Sequence, residues 1–190
     1  MQEEPQNTIH TYYRDYYPAL FNYGVKFIRD DDMVKDAIQD CFYDLYLHPE
    51  RLGNIKKPKN YLIGALRNLL LKQITLQKKT EEIVEMRSFE VSVEDAIIEK
   101  ENKSINSGKL HVAIESLTPK QKEVLYLRFY EGLSYDDIQK ITSTNNQSIR
   151  NLLSKTLKNL REAILVLGFC TLLPMESLAH FTHRWFFGCY

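Results

Sequence analysis

The sequence predicts an all-α protein made of two small helical domains joined by an acidic linker, and composition and periodicity both support this fold class. Glycine and proline are scarce, at 7 and 6 among 190 residues, which disfavours a barrel or a sandwich. Apolar residues recur at helical spacing on both sides of a Glu-rich stretch. The predicted segments are a first domain at 1–79, a linker at 80–108, a second domain at 109–165 and an apolar C-terminal extension at 166–190.

The first domain begins with an amphipathic helix that is predicted from about Thr8 to Ile28. Its apolar positions follow the helical period and are Ile9, Tyr12, Tyr16, Leu20, Tyr23 and Phe27. Pro18 is expected to bend this helix or to divide it in two, because proline lacks the backbone donor that a helix interior uses.

A second helix is predicted from Met33 to Leu47, capped by the acidic run Asp30–Asp32 and ended by His48 and Pro49. One apolar stripe contains Val34, Ala37, Ile38, Cys41, Phe42 and Leu45. The opposite side carries Lys35, Asp36, Gln39, Asp40, Tyr43 and Asp44. This division predicts a helix with one buried face and one polar face.

A basic loop, Leu52 to Asn60, precedes a third helix that is predicted from near Lys59 to about Lys79. The expected buried positions of this helix are Leu62, Leu66, Leu69, Leu70, Gln73 and Ile74. The three helices would form one compact domain.

The second domain is predicted to hold three helices between Ser116 and Arg161. Thr118 and Gln121 form a capping box around Pro119, and Gly132 supplies the left-handed residue that ends this helix. Ser134 caps a short second helix, and Asn145 caps a third after a polar turn.

The third helix of this domain has an apolar face and a polar-basic face. The inward residues are Ile149, Leu152, Leu153, Leu157 and Leu160, and the outward ones are Gln147, Asn151, Lys155 and Lys158. Two short helices and a tight turn with such an outer face describe a helix-turn-helix that fits a DNA major groove. Most three-helix bundles bind no DNA, and the pattern alone leaves both readings open.

The amino-acid sequence of this segment resembles that of a known protein family. L-T-P-K-Q-K-E-V-L-Y-L-R-F-Y-E-G-L-S-Y-D-D-I is similar to the C-terminal domain of bacterial extracytoplasmic-function sigma factors, which reads the promoter's −35 element. The resemblance extends over some forty-five residues without a gap, from Ser116 to Arg161. The residues expected to contact the −35 element are Gln147, Ser148, Arg150, Asn151, Lys155 and Lys158.

The first domain carries the same resemblance. D-M-V-K-D-A-I-Q-D-C-F-Y-D-L-Y resembles the sigma-factor helix that docks on the clamp coiled coil of the largest RNA polymerase subunit. The expected core-polymerase-binding residues are Asp36, Gln39, Asp40, Phe42 and Tyr43, and Tyr46 also falls on an aromatic position of the family.

The following helix, Y-L-I-G-A-L-R-N-L-L, resembles the one that faces the −10 element. Expected −10 contacts are Asn54, Lys56, Lys57, Lys59, Asn60, Tyr61, Arg67, Asn68 and Lys72. Lys72 stands where the family usually has an acid, and the loop that would capture a flipped base holds no aromatic residue. Hydrogen bonding by Asn54 and backbone charge must therefore replace base stacking there.

The distribution of charge favours a nucleic-acid partner although the formal net charge is zero. Residues 51–79 hold no Asp or Glu, and their basic residues are Arg51, Lys56, Lys57, Lys59, Arg67, Lys72, Lys78 and Lys79. The flanking segments are acidic. Such segregation concentrates positive potential where a phosphate backbone can lie, although many such blocks are solvated faces.

No catalytic or cofactor motif is present in the sequence, so no enzymatic activity, cofactor, metal or small-molecule substrate is expected. His180 and His183 share a helical spacing but have no acid or cysteine partner at a suitable distance. Three cysteines without ligand spacing, and an N-terminus without an apolar run, predict a cytoplasmic location.

The sequence therefore predicts a promoter-specificity subunit whose partners are core RNA polymerase and promoter DNA, with an anti-sigma factor as a further candidate. One alternative is a stand-alone helix-turn-helix regulator, and a weaker one is a protein-binding adaptor. The apolar extension at 166–190 either packs on the second domain or presents a patch to a partner or a membrane surface.

Overall fold

The computed structural model describes residues 5–28, 30–80, Phe89 and 113–168, and the part it describes is helical without strands. The helices are α1 (Pro5–Gly24), α2 (Asp31–Leu47), α3 (Pro58–Thr80), α4 (Pro119–Leu125), α5 (Tyr135–Thr142) and α6 (Asn146–Gly168). A 3-10 helix lies at Pro49–Asn54, and a π-helix at Tyr126–Tyr130 continues α4. The predicted all-α class is confirmed.

Helix α2 follows its sequence pattern closely. The Asp30 carboxylate accepts hydrogen bonds from the backbone N–H groups of Asp32 and Met33 at 3.0 and 3.1 Å, as an N-cap should. All six residues of the predicted apolar stripe are buried. Burial, followed by the charges of Asp40 and Asp44, raises the pKa of Cys41 to about 12, so this thiol stays protonated.

Helix α1 is shorter than predicted and is not divided. Pro18 was expected to bend the helix or to divide it in two; it lies inside one continuous helix, so the division does not occur and a bend stays a prediction. The helix ends at Gly24 rather than near Ile28. At this end α1 approaches α2 closely, since a Cβ on Gly24 would lie 2.5 Å from Cγ1 of Val34. Phe27 is nevertheless buried, from the turn that follows.

The predicted basic loop contains regular structure. Pro49–Asn54 forms a 3-10 helix, and α3 begins at Pro58, one residue before the predicted start. Proline suits the first turn of a helix, where its missing N–H has no intrahelical partner. In α3 the residues Leu62, Leu66 and Leu70 are fully buried as expected, and Ile63 joins them.

The predicted caps of the second domain are confirmed. The Thr118 hydroxyl accepts from the backbone of Gln121 at 3.3 Å, and the Gln121 side chain accepts from the backbone of Thr118 at 2.9 Å. Ser134 accepts from the backbone of Asp137 at 3.2 Å, and Asn145 caps α6. Gly132 has φ 70°, the left-handed conformation that was expected of it.

The π-helix at Tyr126–Tyr130 was not predicted. The backbone N–H of Glu131 bonds the carbonyl of Tyr126 at 3.1 Å, which widens the last turn before Gly132. Tyr126 and Tyr130 stack with ring centroids 4.6 Å apart. Tyr126 is buried, and its ring lies 6.1 Å from that of Tyr23 in the first domain.

The two helical units pack against each other, with α3 lying on α5. Phe89 is buried between Phe27 and Tyr126, with ring centroids 4.9 and 5.7 Å away. None of the described helices is both long enough and apolar enough to cross a membrane. The remainder of the predicted acidic linker and the extension beyond Gly168 lie outside the described residues.

Candidate nucleic-acid interface

The outer face of α6 presents every residue that was predicted to contact the −35 element. The exposed residues are Gln147, Ser148, Arg150, Asn151, Lys155 and Lys158. Helix α6 is held in this rotation by Ile149, Leu153 and Leu160, which are buried beneath it. Thr156 is also buried, and its hydroxyl is satisfied by donating to the carbonyl of Leu152 at 2.8 Å.

Two of these polar side chains are already arranged by their neighbours. The amide nitrogen of Gln147 donates to the amide oxygen of Asn151 at 3.0 Å, one helical turn away. Because the Asn151 oxygen accepts this hydrogen bond, the orientation of the whole Asn151 amide group is restricted. An amide held in this way loses less side-chain entropy when it pairs with a base edge.

Tyr135 contacts a predicted site residue, a contact that the sequence pattern did not indicate. Its ring is close to two guanidinium groups: Cζ of Arg150 is 4.3 Å from the ring centroid, and Cζ of Arg128 is 4.8 Å. Arg128 also donates to the carbonyl of Leu133 at 2.8 Å. Cation–π contacts of this kind restrict the Arg150 side chain. The only indication of this contact in the sequence was the presence of an aromatic residue, Tyr135, directly after the Ser134 cap.

The polar face of α2 is exposed as expected, with one correction. Asp36, Gln39 and Asp40 face solvent, and Tyr43 is 62% exposed. Phe42, which was also predicted to bind polymerase, is 6% exposed and packs edge-on against Tyr13 at 5.1 Å. It belongs to the buried stripe of α2, and its side chain does not form part of the exposed surface.

The exposed face of α2 is more apolar at its end than the sequence pattern indicated. Tyr46 and Leu47 are both more than half exposed, beside Tyr43. We call Asp36, Gln39, Asp40, Tyr43, Tyr46 and Leu47 the α2 face. Exposed aromatic and aliphatic side chains beside carboxylates are typical of a protein-binding surface rather than a solvated one.

The residues predicted to contact the −10 element fall into two groups. Asn54, Lys56, Tyr61, Asn68 and Lys72 are exposed. Lys57, Lys59, Asn60 and Arg67 instead contact carboxylates of the second domain. The structure therefore places part of the basic face of the first domain against the second domain.

Arg67 makes the most buried of these contacts. Its Nε and Nη2 donate to the two carboxylate oxygens of Glu123 at 2.6 and 3.3 Å, and the Tyr23 hydroxyl donates to Glu123 at 2.9 Å. Burial by itself would lower the pKa of Arg67, but hydrogen bonding and charge from Glu123 outweigh it and raise that pKa. Burial, followed by the Glu123 charge, raises the pKa of Tyr23 well above its ordinary value.

Two lysines form the outer part of the same contact. Lys59 Nζ lies 2.6 Å from Glu131, and Lys57 Nζ lies 2.7 Å from Asp137. Burial opposes ionisation of Asp137, but hydrogen bonds from Lys57, Ser134 and Asn60 hold its pKa below the ordinary value.

The described residues contain no cluster of His, Cys, Asp and Glu that is suited to holding a metal ion.

Comparison with known proteins identifies both halves of the chain. The model of Sigma-70 region 2 matches residues 12–80, and that of Sigma-70, region 4 matches residues 107–160. The chain is 22% identical over 148 residues to the RNA polymerase sigma factor SigV of Bacillus subtilis, covering 78% of this chain and 83% of SigV. It is 28% identical over 105 residues to the ECF RNA polymerase sigma factor BldN of Streptomyces coelicolor, covering 53% of this chain and 38% of BldN.

A solved structure shares the fold. The sigma factor RpoE of Bartonella quintana, crystallised with the anti-sigma factor NepR, superimposes with a TM-score of 0.58 at 19% identity. The match covers 84% of this chain and 98% of the RpoE chain.

Proposed function

This chain belongs to the sigma-70 family, as an extracytoplasmic-function sigma factor, and we propose that it directs core RNA polymerase to promoters with −35 and −10 elements. In this proposal residues 1–79 dock on the core enzyme and engage the −10 element. Residues 109–165 read the −35 element, and 80–108 connects the two domains. A stand-alone helix-turn-helix regulator is not favoured, because the region 2 match accounts for the first domain.

The α2 face is the single observation that carries the proposal. It combines acidic and amide groups with exposed Tyr43, Tyr46 and Leu47 on one helix. A polymerase subunit needs such a protein-binding surface in addition to its DNA-binding face. Carboxylates beside apolar anchors suit a basic partner surface that also buries hydrophobic side chains.

Readout of the −35 element is assigned to the N-terminal half of α6. In a helix-turn-helix the first turns of the recognition helix meet base edges, which places Gln147, Arg150 and Asn151 there. Asn or Gln pairs with adenine and Arg with guanine, each worth about 1–3 kcal/mol of discrimination. Lys155 and Lys158 lie further along and are assigned to phosphates, which set affinity without carrying sequence information.

Engagement of the −10 element is assigned to the loop before α3 and to the exposed side of α3. Asn54 and Lys56 lie exposed in or beside the 3-10 helix, and Tyr61, Asn68 and Lys72 are exposed on α3. Asn54 supplies hydrogen bonding to a displaced base, and the lysines neutralise phosphates.

The proposed function also implies a cellular location and protein partners. We propose that the chain acts in the cytoplasm and has no catalytic activity of its own, as a transcription-initiation factor. The RpoE chain that shares its fold was crystallised with an anti-sigma factor, and an anti-sigma factor is proposed as a regulator here too.

Run-off transcription tests the proposal directly. Purified chain and core RNA polymerase are combined on the DNA upstream of this protein's own gene. A discrete transcript that depends on the added chain is the expected result. Absence of any chain-dependent transcript, together with specific binding of the free chain to that DNA, would instead support a stand-alone regulator.

A further inference from the structure

We propose that the tail, residues 169–190, docks on the α2 face of its own chain and competes there with core polymerase. This inference rests on the proposed function, which assigns the α2 face to core binding. The α2 face belongs to the first domain, whereas the tail follows α6 of the second. The tail lies outside the described residues, so the evidence comes from its sequence and from the surface of α2.

The end of the α2 face is a cluster of exposed apolar side chains. Seven large hydrophobic residues are exposed in the described part of the chain, and three of them are Tyr43, Tyr46 and Leu47. These three share one side of α2, because residues three and four positions apart are neighbours on a helix. Single exposed apolar residues are ordinary, whereas a contiguous group marks a surface that binds another segment or protein.

The same face carries negative charge that is available to a partner. Asp36 and Asp40 are exposed one helical turn apart, and neither forms an ion pair with another described residue. Asp44, one turn further along, is already paired with Arg51. The α2 face therefore suits a segment that combines apolar side chains with positive charge and carries no acidic residue.

The charges of the segments outside the described residues single out the tail. Residues 1–4 contain two glutamates and no Lys or Arg. Residues 81–112 hold eight acidic residues and four basic ones. Residues 177–190 of the tail contain no Asp or Glu, and Arg184 is their one permanently charged side chain. The α2 face would repel an acidic segment, so the tail is the segment whose charge fits.

The tail also supplies apolar side chains for the exposed tyrosines and leucine of α2. Its large apolar residues beyond Glu176 are Leu178, Phe181, Trp185, Phe186, Phe187 and Tyr190. Arg184 directly precedes three consecutive aromatic residues, so one short segment offers both a cation and aromatic anchors. Aromatic residues and arginine are the side chains that most often dominate protein interfaces.

The tail is long enough to reach the α2 face from the end of α6. Helix α6 ends at Gly168, and Trp185 follows seventeen residues later. Such a segment spans at most about 56 Å. A compact chain of 190 residues has a radius of gyration of about 16 Å and a diameter of about 40 Å. Tethering gives a local concentration of about 1 mM, so a contact with a Kd of about 0.1 mM would keep about nine-tenths of the α2 faces occupied.

Fluorescence of Trp185 tests the docking in the full chain, because Trp185 is its single tryptophan. Acrylamide quenching of each variant is compared with that of the same variant unfolded in urea. Quenching of wild type should be weaker in the native state than in urea. Asp36→Lys with Asp40→Lys should raise native quenching towards the urea value, because it repels Arg184. Asp15→Lys with Glu162→Lys, an equal change of charge at exposed acids elsewhere, should match wild type.

An exchange of charges tests whether the tail and the α2 face are in direct contact. Arg184→Glu should also expose Trp185, whereas Arg161→Glu, an equal change at an exposed base of α6, should not. Arg184→Glu combined with Asp36→Lys and Asp40→Lys should protect Trp185 again, because opposite charges then face each other. Absence of this rescue would overturn the docking.

Other locations of the tail give different results, and each of them contradicts the proposal. Protection of Trp185 that persists in the α2 variant would place the tail on another surface, such as the second domain. Protection that is lost on dilution of wild type would indicate a second copy, because a tethered contact does not depend on concentration. Protection that appears only with phosphatidylcholine–phosphatidylglycerol vesicles would assign the tail to a membrane surface.

Titration with core polymerase tests the competition and separates it from the proposed function. Arg184→Glu should bind core enzyme about tenfold more tightly than wild type and Arg161→Glu, because the tail no longer occupies the α2 face. Equal affinities of all three chains would overturn the competition while the proposed function stands. If no chain binds core enzyme, the proposed function fails and the competition with it. The docking is still decided in that case, because the fluorescence measurements contain no polymerase.

Discussion

At the scale of single residues, Arg150, which we propose contacts a base, is held by an aromatic neighbour. Its guanidinium stacks 4.3 Å from the centre of the Tyr135 ring, which also stacks on Arg128. Tyr135→Ala removes this platform, and we expect a changed choice of −35 sequences in a transcribed promoter library. Tyr135→Phe keeps the ring and should behave as wild type. A loss of thermal stability in Tyr135→Ala with unchanged promoter preference would indicate a purely structural role.

The two ends of the α6 outer face should respond differently to substitution. Asn151→Ala or Arg150→Ala removes a side chain that we propose contacts a base, so it should change which −35 sequences are used, by about 1–3 kcal/mol at the affected position. Lys155→Ala removes a proposed phosphate contact and should lower use of all promoters about equally. Promoter libraries transcribed by each holoenzyme measure both effects. Uniform loss from Asn151→Ala with altered preference from Lys155→Ala would show that α6 lies differently in the groove.

At the scale of elements, the α2 face is expected to dock on core polymerase. Asp36→Lys with Asp40→Lys reverses its charge, and we expect core binding to weaken about tenfold or more, as measured by titration of labelled chain with core enzyme. Both side chains are exposed, so the free energy of unfolding should hardly change. Asp15→Lys with Glu162→Lys is the control of equal charge at exposed sites elsewhere. Wild-type affinity in the α2 variant would refute this docking surface.

The junction of α1 and α2 depends on a close approach that only glycine permits. Gly24→Ala would place its Cβ 2.5 Å from Val34, whose side chain is fully buried and has little room to move. We expect a loss of about 1–3 kcal/mol in the free energy of unfolding, measured by urea denaturation. Gly53→Ala is the control, since nothing lies within 4 Å of its Cβ. Equal free energies of unfolding for the two variants would mean that α1 and α2 can move apart enough to accommodate the added methyl group without cost.

At the scale of the whole molecule, an interface with ion pairs at its rim should respond to salt. The Debye length falls from about 10 Å at 0.1 M to about 3 Å at 1 M, which weakens pairs with one solvent-exposed partner, such as Lys57–Asp137, in which the lysine side chain is 60% exposed. We expect the radius of gyration of wild type, measured by small-angle X-ray scattering, to increase with sodium chloride concentration. Phe89→Ala removes an apolar contact of this interface and should expand at a lower salt concentration than wild type. A decrease in the radius of gyration of wild type with added salt would mean that apolar contacts, rather than ion pairs, hold the two domains together.

Local signals in the sequence were sufficient for most of the secondary structure and for the exposed polar face of α6. Caps at Asp30, Thr118, Ser134 and Asn145 act between neighbours on the chain, so short patterns reveal them. The apolar stripe of α2 and the rotation of α6 follow from helical periodicity. Family resemblance, carried by consecutive residues, indicated the sigma-factor identity.

Contacts between distant parts of the chain could be decided only by the tertiary structure. Arg67 and Glu123 are 56 positions apart, and Lys57 and Asp137 are 80 apart, so no periodicity links them. A basic helix face has the same sequence pattern whether it binds phosphates or carboxylates, because both groups are anions. The π-helix at Tyr126–Tyr130 and the burial of Phe89 likewise depend on what packs beside them. The sequence by itself therefore determined which surfaces can bind an anion, and only the tertiary structure decided which anion they hold in this form.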